Sequence, residues 1–197
     1  MSRRTVGILV FEDVEVLDVC GPYEVFSVAG RRHGLDPFDV RLLAKEAAPV
    51  IARNGFIMTP HGALRDAPAL DLLLVPGGLG TRTVQHDTQL VAAIRDRAAA
   101  AELVLSVCTG ALVLGRAGLL DGLEATTHHS AFEELREAAP LARLRPDARC
   151  TDNGRVLTSA GIAAGIDLAL HVVERLLGRD VAEEASHYME FPRTRGA

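Results

Sequence analysis

Residues 103–110 read Leu103-Val104-Leu105-Ser106-Val107-Cys108-Thr109-Gly110, and this stretch decides the fold. Its first five residues form a short continuous run of the kind that a strand buried on both faces requires. The run passes without a loop into Ala111–Ala117, which has helical character and which Gly118 can close. A strand leading straight into a helix forces a sharp turn, and the side chain at that turn, Cys108, projects above the carboxyl edge of the sheet. There the unpaired N–H groups and partial positive charge of the helix start favour thiolate over thiol, and a thiolate is a nucleophile. The competing reading is a small buried hydrophobe, the usual fate of a free cysteine. Gly110, which allows close approach, and the hydroxyl of Thr109 beside the thiol favour the nucleophile.

Outward from this junction the pattern alternates between short apolar runs and longer stretches of helical period, as βαβ construction demands. Strands are predicted at Val6–Phe11, Val40–Ala44, Leu72–Val75, Ala125–Thr127 and Arg155–Ser159. Helices are predicted from Pro22 to about Ala29, over Gln89–Ala101, from Ser130 to about Ala138, over Ile162–Leu177 and over Val181–Met189. Pro22 suits a first helical turn, and Ser130 with Glu133 three residues later makes a capping box. Asn54-Gly55 within Val50–Thr59 marks the turn of an antiparallel excursion. Pro76-Gly77-Gly78-Leu79-Gly80 ends its strand with backbone N–H groups that suit either an oxyanion hole or an ordinary flexible loop. No third glycine follows Gly78-Leu79-Gly80 in the order a dinucleotide fingerprint needs, and no P-loop is present. The fold class expected is α/β, with layered helices over a mostly parallel sheet.

The chain has 197 residues and is 48% hydrophobic, enough for one substantial core, so residues 1–197 read as a single domain. Lys and Arg total 21 against 26 Asp and Glu, a net charge of −5 that lacks the basic footprint of a nucleic-acid or anionic-membrane binder. No apolar stretch approaches the ~20 residues of a membrane span. Arg3 and Arg4 before an apolar run resemble a secretion signal, but Glu12 and Asp13 interrupt it too soon. Cys20, Cys108 and Cys150 form an odd set without CxxC spacing, which reads as a reducing, cytoplasmic setting. Cys20 and Cys150 are read as packing residues.

Asp18, between apolar neighbours in Leu17-Asp18-Val19-Cys20-Gly21-Pro22, either caps a helix or, if its strand lies beside the cysteine strand, shuttles protons for Cys108. His128 and His129 follow a strand, where one of them can orient a nucleophile as a Cys/His pair does. No carboxylate stands two residues beyond His128, because position 130 is Ser130. His33, His61, His86, His171 and His187 are scattered without metal-ligand spacing, so no metal site is expected.

These pieces together resemble the ThiJ/PfpI superfamily over nearly the whole chain. The resemblance is carried by Gly7-Ile8-Leu9-Val10-Phe11, Leu17–Pro22, Val75-Pro76-Gly77-Gly78, Ser106–Ala111, Ala125-Thr126-Thr127-His128 and Thr158–Asp167. It implies a class I glutamine amidotransferase-like fold: a flavodoxin-like three-layer sandwich with helices on both faces and a nucleophile elbow. Within the superfamily, the Leu-Asp-x-x-Gly-Pro segment and the Cys-Thr-Gly elbow are most similar to isonitrile hydratases and to the amidotransferase-like domains of AraC-type regulators.

The resemblance implies a homodimeric, cofactor-free lyase acting on a small molecule, adding water across an isonitrile to give an N-substituted formamide. Cys108 would attack the isonitrile carbon, Asp18 would position water and handle protons, and Thr109 would hydrogen-bond in the pocket. Backbone N–H groups at Gly78 and Thr109 would serve as donors, and Ile162, with His128, would flank the substrate. Peptidase-like members carry His directly after the nucleophile, where this chain has Thr109. Glyoxalase-like and deglycase-like members present Glu where this chain has Asp18, and they stand as the enzymatic alternative, acting on reactive aldehydes. A redox or small-molecule sensing domain is the non-enzymatic alternative. AraC-type regulators carry a helix-turn-helix region after this domain, and the sequence ends at Ala197, about where that region would begin, so no DNA-binding role is expected.

Overall fold

Leu72–Val75 and Leu103–Val107 are buried at every position, the reason that no charged residue interrupts either run. A computed structural model describes residues 3–192. The chain opens with β1 (Arg4–Leu9), α1 (Val16–Val28) and β2 (Phe38–Ala44). A short hairpin of β3 (Val50–Ile51) and β4 (Ile57–Met58) follows, then β5 (Gly62–Ala63) and β6 (Leu72–Val75). The middle of the chain forms α2 (Thr81–Val84), α3 (Thr88–Ala100), β7 (Leu103–Val107) and α4 (Gly110–Arg116). The remainder forms β8 (Glu124–Ala125), α5 (Phe132–Ala138), β9 (Arg143–Leu144), β10 (Cys150–Asp152), β11 (Val156–Ser159), α6 (Ala164–Leu177) and α7 (Arg179–Tyr188).

Seven strands make the central sheet in the order β10-β11-β7-β6-β1-β2-β5, parallel throughout except for β10, which runs antiparallel to β11. Helix α1 packs with α6 and α7, while α4 packs with α2 and α5, giving the helix layers of a flavodoxin-like sandwich. Strand β1 does not lie beside β7, as the proton-shuttle reading of Asp18 supposed: β6 stands between them, and the segments that leave the carboxyl ends of all three converge at one edge of the sheet. No helix of the described residues is long and apolar enough to cross a membrane.

The antiparallel excursion forms as expected, with Asn54 at φ 57° and Gly55 at φ 82° making its turn. Three expectations need correction. Helix α1 begins at Val16 rather than Pro22, because Glu15 N–H bonds the Gly77 carbonyl at 2.9 Å and pins the chain into the turn early; Pro22 lies inside the helix. Ser130 does not cap α5, which starts after Ala131 without a side-chain cap, since the Ser130 hydroxyl is taken by His128. The strand expected at Ala125–Thr127 is Glu124–Ala125, paired with β9 outside the main sheet. Thr126 instead donates its N–H to Thr158 Oγ1 at 2.8 Å.

The junction between β7 and α4 has no room for a side chain at Gly110: a Cβ there would lie 2.1 Å from the Val75 carbonyl oxygen at the end of β6. Gly110→Ala is expected to destabilise the fold by about 3 kcal/mol, the scale of core overpacking. Calorimetry should then show a fall of about 6–12 °C in Tm for a chain of this size; an unchanged Tm would mean that the two strand ends separate freely.

Candidate active site

Cys108 sits in the left-handed region, at φ 56°, and is 6% exposed. A non-glycine residue held there stores on the order of 1–3 kcal/mol of strain, so its surroundings must fix it. They do so on both sides. Cys108 N–H is directed at the carbonyls of Ser159 (3.1 Å), the last residue of β11, and Ala160 (3.2 Å), just beyond it, and Thr127 Oγ1 donates to the Cys108 carbonyl at 2.8 Å.

Asp18 lies in the first turn of α1, and its side chain is fully buried. It does not cap the helix. Glu15 is the N-cap residue and makes no side-chain cap, while Asp18 Oδ2 accepts the Gly77 N–H at 3.0 Å. Oδ1 is buried without a hydrogen bond of standard geometry, and the Cys108 thiol and the Ile162 N–H face the carboxyl group. Burial pushes the Asp18 carboxyl up to about 7, against the opposing pull of the Gly77 N–H. Burial also pushes the Cys108 thiol up, to about 12, and the facing charge of Asp18 adds to the effect.

The thiolate expected from the helix start is therefore not the resting state. Helix α4 has seven residues, and the Thr109 N–H and hydroxyl that face the sulfur favour its charge less than desolvation and Asp18 oppose it. Burial and Asp18 together hold the sulfur toward its protonated form, beside a carboxyl group pushed up to about 7.

Thr109 Oγ1 accepts the Gly78 N–H at 3.0 Å and contacts the Gly78 carbonyl at 3.1 Å. The Gly78 N–H, read from the sequence as a donor to substrate, is engaged in this way, and its neighbour Gly77 supplies the N–H that reaches Asp18. A Cβ on Gly77 would lie 2.6 Å from Thr109 N and 2.8 Å from both Asp18 Oδ2 and Cys108 Cβ, so only glycine lets the three groups meet. The buried Thr81 hydroxyl reaches the Gly78 carbonyl (2.8 Å) and Thr109 Oγ1 (3.1 Å). Arg82, bidentate to Glu134 at 2.6 and 2.8 Å, also reaches the Gly78 carbonyl at 3.3 Å. Gly77, Thr81, Thr127 and the Arg82–Glu134 pair escaped the sequence reading. The double glycine was visible, but which of its N–H groups meets Asp18 depends on strand order.

Ile162 precedes α6 with φ 56°, a strained setting for a β-branched residue, and lines a cleft of about 370 Å³ that Cys108 does not itself line but that meets the site through Thr127, Ala160 and Ile162, which bond the Cys108 backbone or face Asp18. The cleft is walled by Thr127, His128, His129, Phe132, Pro146 and residues 160–163. His128 therefore shares a wall with Ile162. No hydrogen bond joins His128 to Cys108 among the described residues; its Nδ1 pairs with Ser130 Oγ at 2.8 Å. Of the other thiols, Cys150 is half-buried, with burial pushing it up to about 12, whereas Cys20 is exposed on α1 and is not the packing residue expected. Its side of the helix faces away from the core that Val19 enters. No cluster of three metal-ligating side chains occurs among the described residues.

The family model described as the DJ-1/PfpI family matches residues 4–175. The chain is 39% identical to an isonitrile hydratase of Pseudomonas putida, over 94% of this chain and 78% of that one. It is 29% identical to the HTH-type transcriptional regulator GbdR of Pseudomonas aeruginosa, over 98% of this chain and 52% of the regulator. Among solved structures, a ThiJ/PfpI family protein from Pseudomonas syringae matches with a TM-score of 0.87 and 31% identity, over 100% of this chain and 78% of that one.

The raised Asp18 value makes a prediction about stability. A carboxyl whose value rises on folding from 3.8 to about 7 favours the fold fully only below about pH 4, and that contribution is lost as pH rises through 7. Asp18→Asn, which keeps an acceptor for Gly77 N–H and removes the charge, should stabilise the protein at pH 8 by up to about 4 kcal/mol and have little effect at pH 4. Denaturant unfolding at the two pH values checks it; equal effects at both would contradict the buried charge.

Proposed function

The chain belongs to the DJ-1/PfpI family, and from that premise we propose that it is an isonitrile hydratase-like lyase, converting an isonitrile and water to an N-substituted formamide. The observation that carries the proposal is the fully buried Asp18 carboxyl, held by Gly77 N–H and facing the protonated thiol of Cys108. An isonitrile carbon must gain both a nucleophile and a proton, and this pair supplies both at one point.

The steps follow from the two resting states. Asp18, as carboxylate, takes the proton from Cys108 sulfur while the sulfur bonds to the isonitrile carbon, and it returns that proton to the same carbon. The product is a thioimidate, R–N=CH–S–Cys108. Water then adds to its carbon, with one proton passing to nitrogen and the other relayed through Asp18 to sulfur as the C–S bond breaks. The formamide R–NH–CHO leaves, and the thiol and carboxylate are restored. A proton carrier with a value near 7 suits both directions of transfer. Thr109 supports the developing charge on sulfur through the N–H and hydroxyl that face it, and Ile162 and His128 border the substituent of the substrate. Gly78 serves by holding the Thr109 hydroxyl in place. No metal or organic cofactor enters these steps. A homodimer in a cytoplasmic setting belongs to the same reading, supported by the family resemblance and by three cysteines that are all unpaired.

The glyoxalase-like alternative leans on a Cys/His pair, and the engagement of His128 with Ser130 weighs against it. A protonated, buried thiol likewise weighs against a peroxide sensor, which needs an accessible thiolate.

Purified protein incubated with cyclohexyl isonitrile should accumulate N-cyclohexylformamide. Cys108→Ala should abolish turnover, and Asp18→Asn should lower kcat by about 100-fold or more, as loss of general acid–base catalysis does. Because the carboxylate form starts the cycle, kcat/KM should fall roughly tenfold per pH unit below about 7 and level off above it. Formamide formation that survives Cys108→Ala, or no formation at all, would sink the proposal.

A further inference from the structure

The cleft adjoins the elbow through Thr127, whose hydroxyl donates to the Cys108 carbonyl, and Ile162, whose N–H faces Asp18; the rest of its lining is apolar except for two histidines. Phe132, Pro146, Ala160, Ile162 and Ala163 are apolar, and His128 lies against His129, its ring tilted with centroids 4.1 Å apart. The state of His128 can be read from its neighbours. Its Nδ1 accepts the backbone N–H of Ser130 at 3.3 Å and lies 2.8 Å from Ser130 Oγ. A backbone N–H can only donate, so Nδ1 is the unprotonated nitrogen and the proton of the neutral ring is on Nε2. The ring edge carrying Cδ2 and Nε2 lies over Gly161, where a Cβ would collide with Cδ2. Nε2 has no hydrogen-bond partner among the described residues, and it is not among the buried unpaired atoms. It is thus an open N–H donor on a cleft wall. The groups around it favour the neutral ring: burial, His129 and Arg82 all hold the His128 value below its usual range, and only Glu15 opposes them.

We infer that His128 is a specificity-determining residue whose Nε2–H selects substrates carrying a hydrogen-bond acceptor on an otherwise apolar ring-sized substituent. The inference rests on the isonitrile hydratase reading for the reacting end of the substrate, but the selection itself acts at the substituent. The lining accepts a saturated or aromatic ring, and a fully hydrocarbon ring would leave the donor buried and unpaired against it. A ring with one ether or carbonyl oxygen on that side satisfies it. Ser130 is a positioning residue here, since its N–H and hydroxyl fix which nitrogen carries the proton.

The test compares cyclohexyl isonitrile with tetrahydropyranyl isonitriles bearing the ring oxygen at either remote position, compounds of nearly the same shape. One tetrahydropyranyl isomer should show a kcat/KM roughly tenfold higher than cyclohexyl isonitrile, the net worth of one hydrogen bond. His128→Phe should reverse the preference, because the ether oxygen then loses its water for nothing. Ser130→Ala, an exposed and mild change, should shrink the preference without abolishing turnover. Nitrogen NMR of the ring should show the proton on Nε2 in the unmodified protein and a mixture in Ser130→Ala. The matching N-formamides, titrated by calorimetry, should show the same order of binding. This last arm reads the donor even if neither isonitrile is turned over, a result that would remove the lyase reading alone. Equal or cyclohexyl-favoring kcat/KM and binding, a preference that persists in His128→Phe, or a proton on Nδ1 would each overturn the inference.

Discussion

The hydrogen bond from Gly77 N–H to Asp18 Oδ2 joins residues 59 apart in sequence, and the arrangement of the site depends on it. With the facing Cys108 thiol and Ile162 N–H, it compensates a carboxyl group removed entirely from water, and among these it is the largest contribution. It exists because β1 and β6 are adjacent, so the turn entering α1 and the glycine loop leaving β6 meet above the same edge. These contacts offset only part of the desolvation, and the remainder appears as a carboxyl value near 7. The proposed proton transfer and the cost to folding thus share one source: a group buried enough to exchange its proton near neutral pH is a group whose charge opposes folding there.

The backbone around that contact is specialised for close approach. Gly77 leaves space for Asp18, Thr109 and Cys108 at once, and Gly110 lets α4 begin directly against the end of β6. Cys108 takes the strain of the sharp turn, and hydrogen bonds to its own N–H and carbonyl hold it. The Thr81 hydroxyl and Arg82, itself fixed by Glu134, converge on the Gly78 carbonyl and brace the loop from outside. These braces use side chains that do not reach the thiol, which is why they carry no motif.

Parts of the site were legible for a clear reason. Cys108 stands where a buried strand must turn into a helix, and that position is set by local sequence. Asp18 was visible as a carboxyl among apolar residues, although the same pattern also fits a helix cap. Two chemical states could not be read this way. The helix start suggested a thiolate, but burial and the facing carboxyl, both consequences of packing, hold the proton on sulfur. Ser130 and Glu133 had the spacing of a capping box, yet the histidine two residues back took the serine hydroxyl first.

By itself the sequence determined the alternation of strands and helices, the elbow cysteine and the family, because apolar period and short motifs are local properties of the chain. Only the tertiary structure decided which glycine N–H serves Asp18, where the protons of Cys108 and His128 reside, and that Cys20 faces solvent. Each of those depends on strand order and on how much water the fold removes. Neither quantity is written in any one segment.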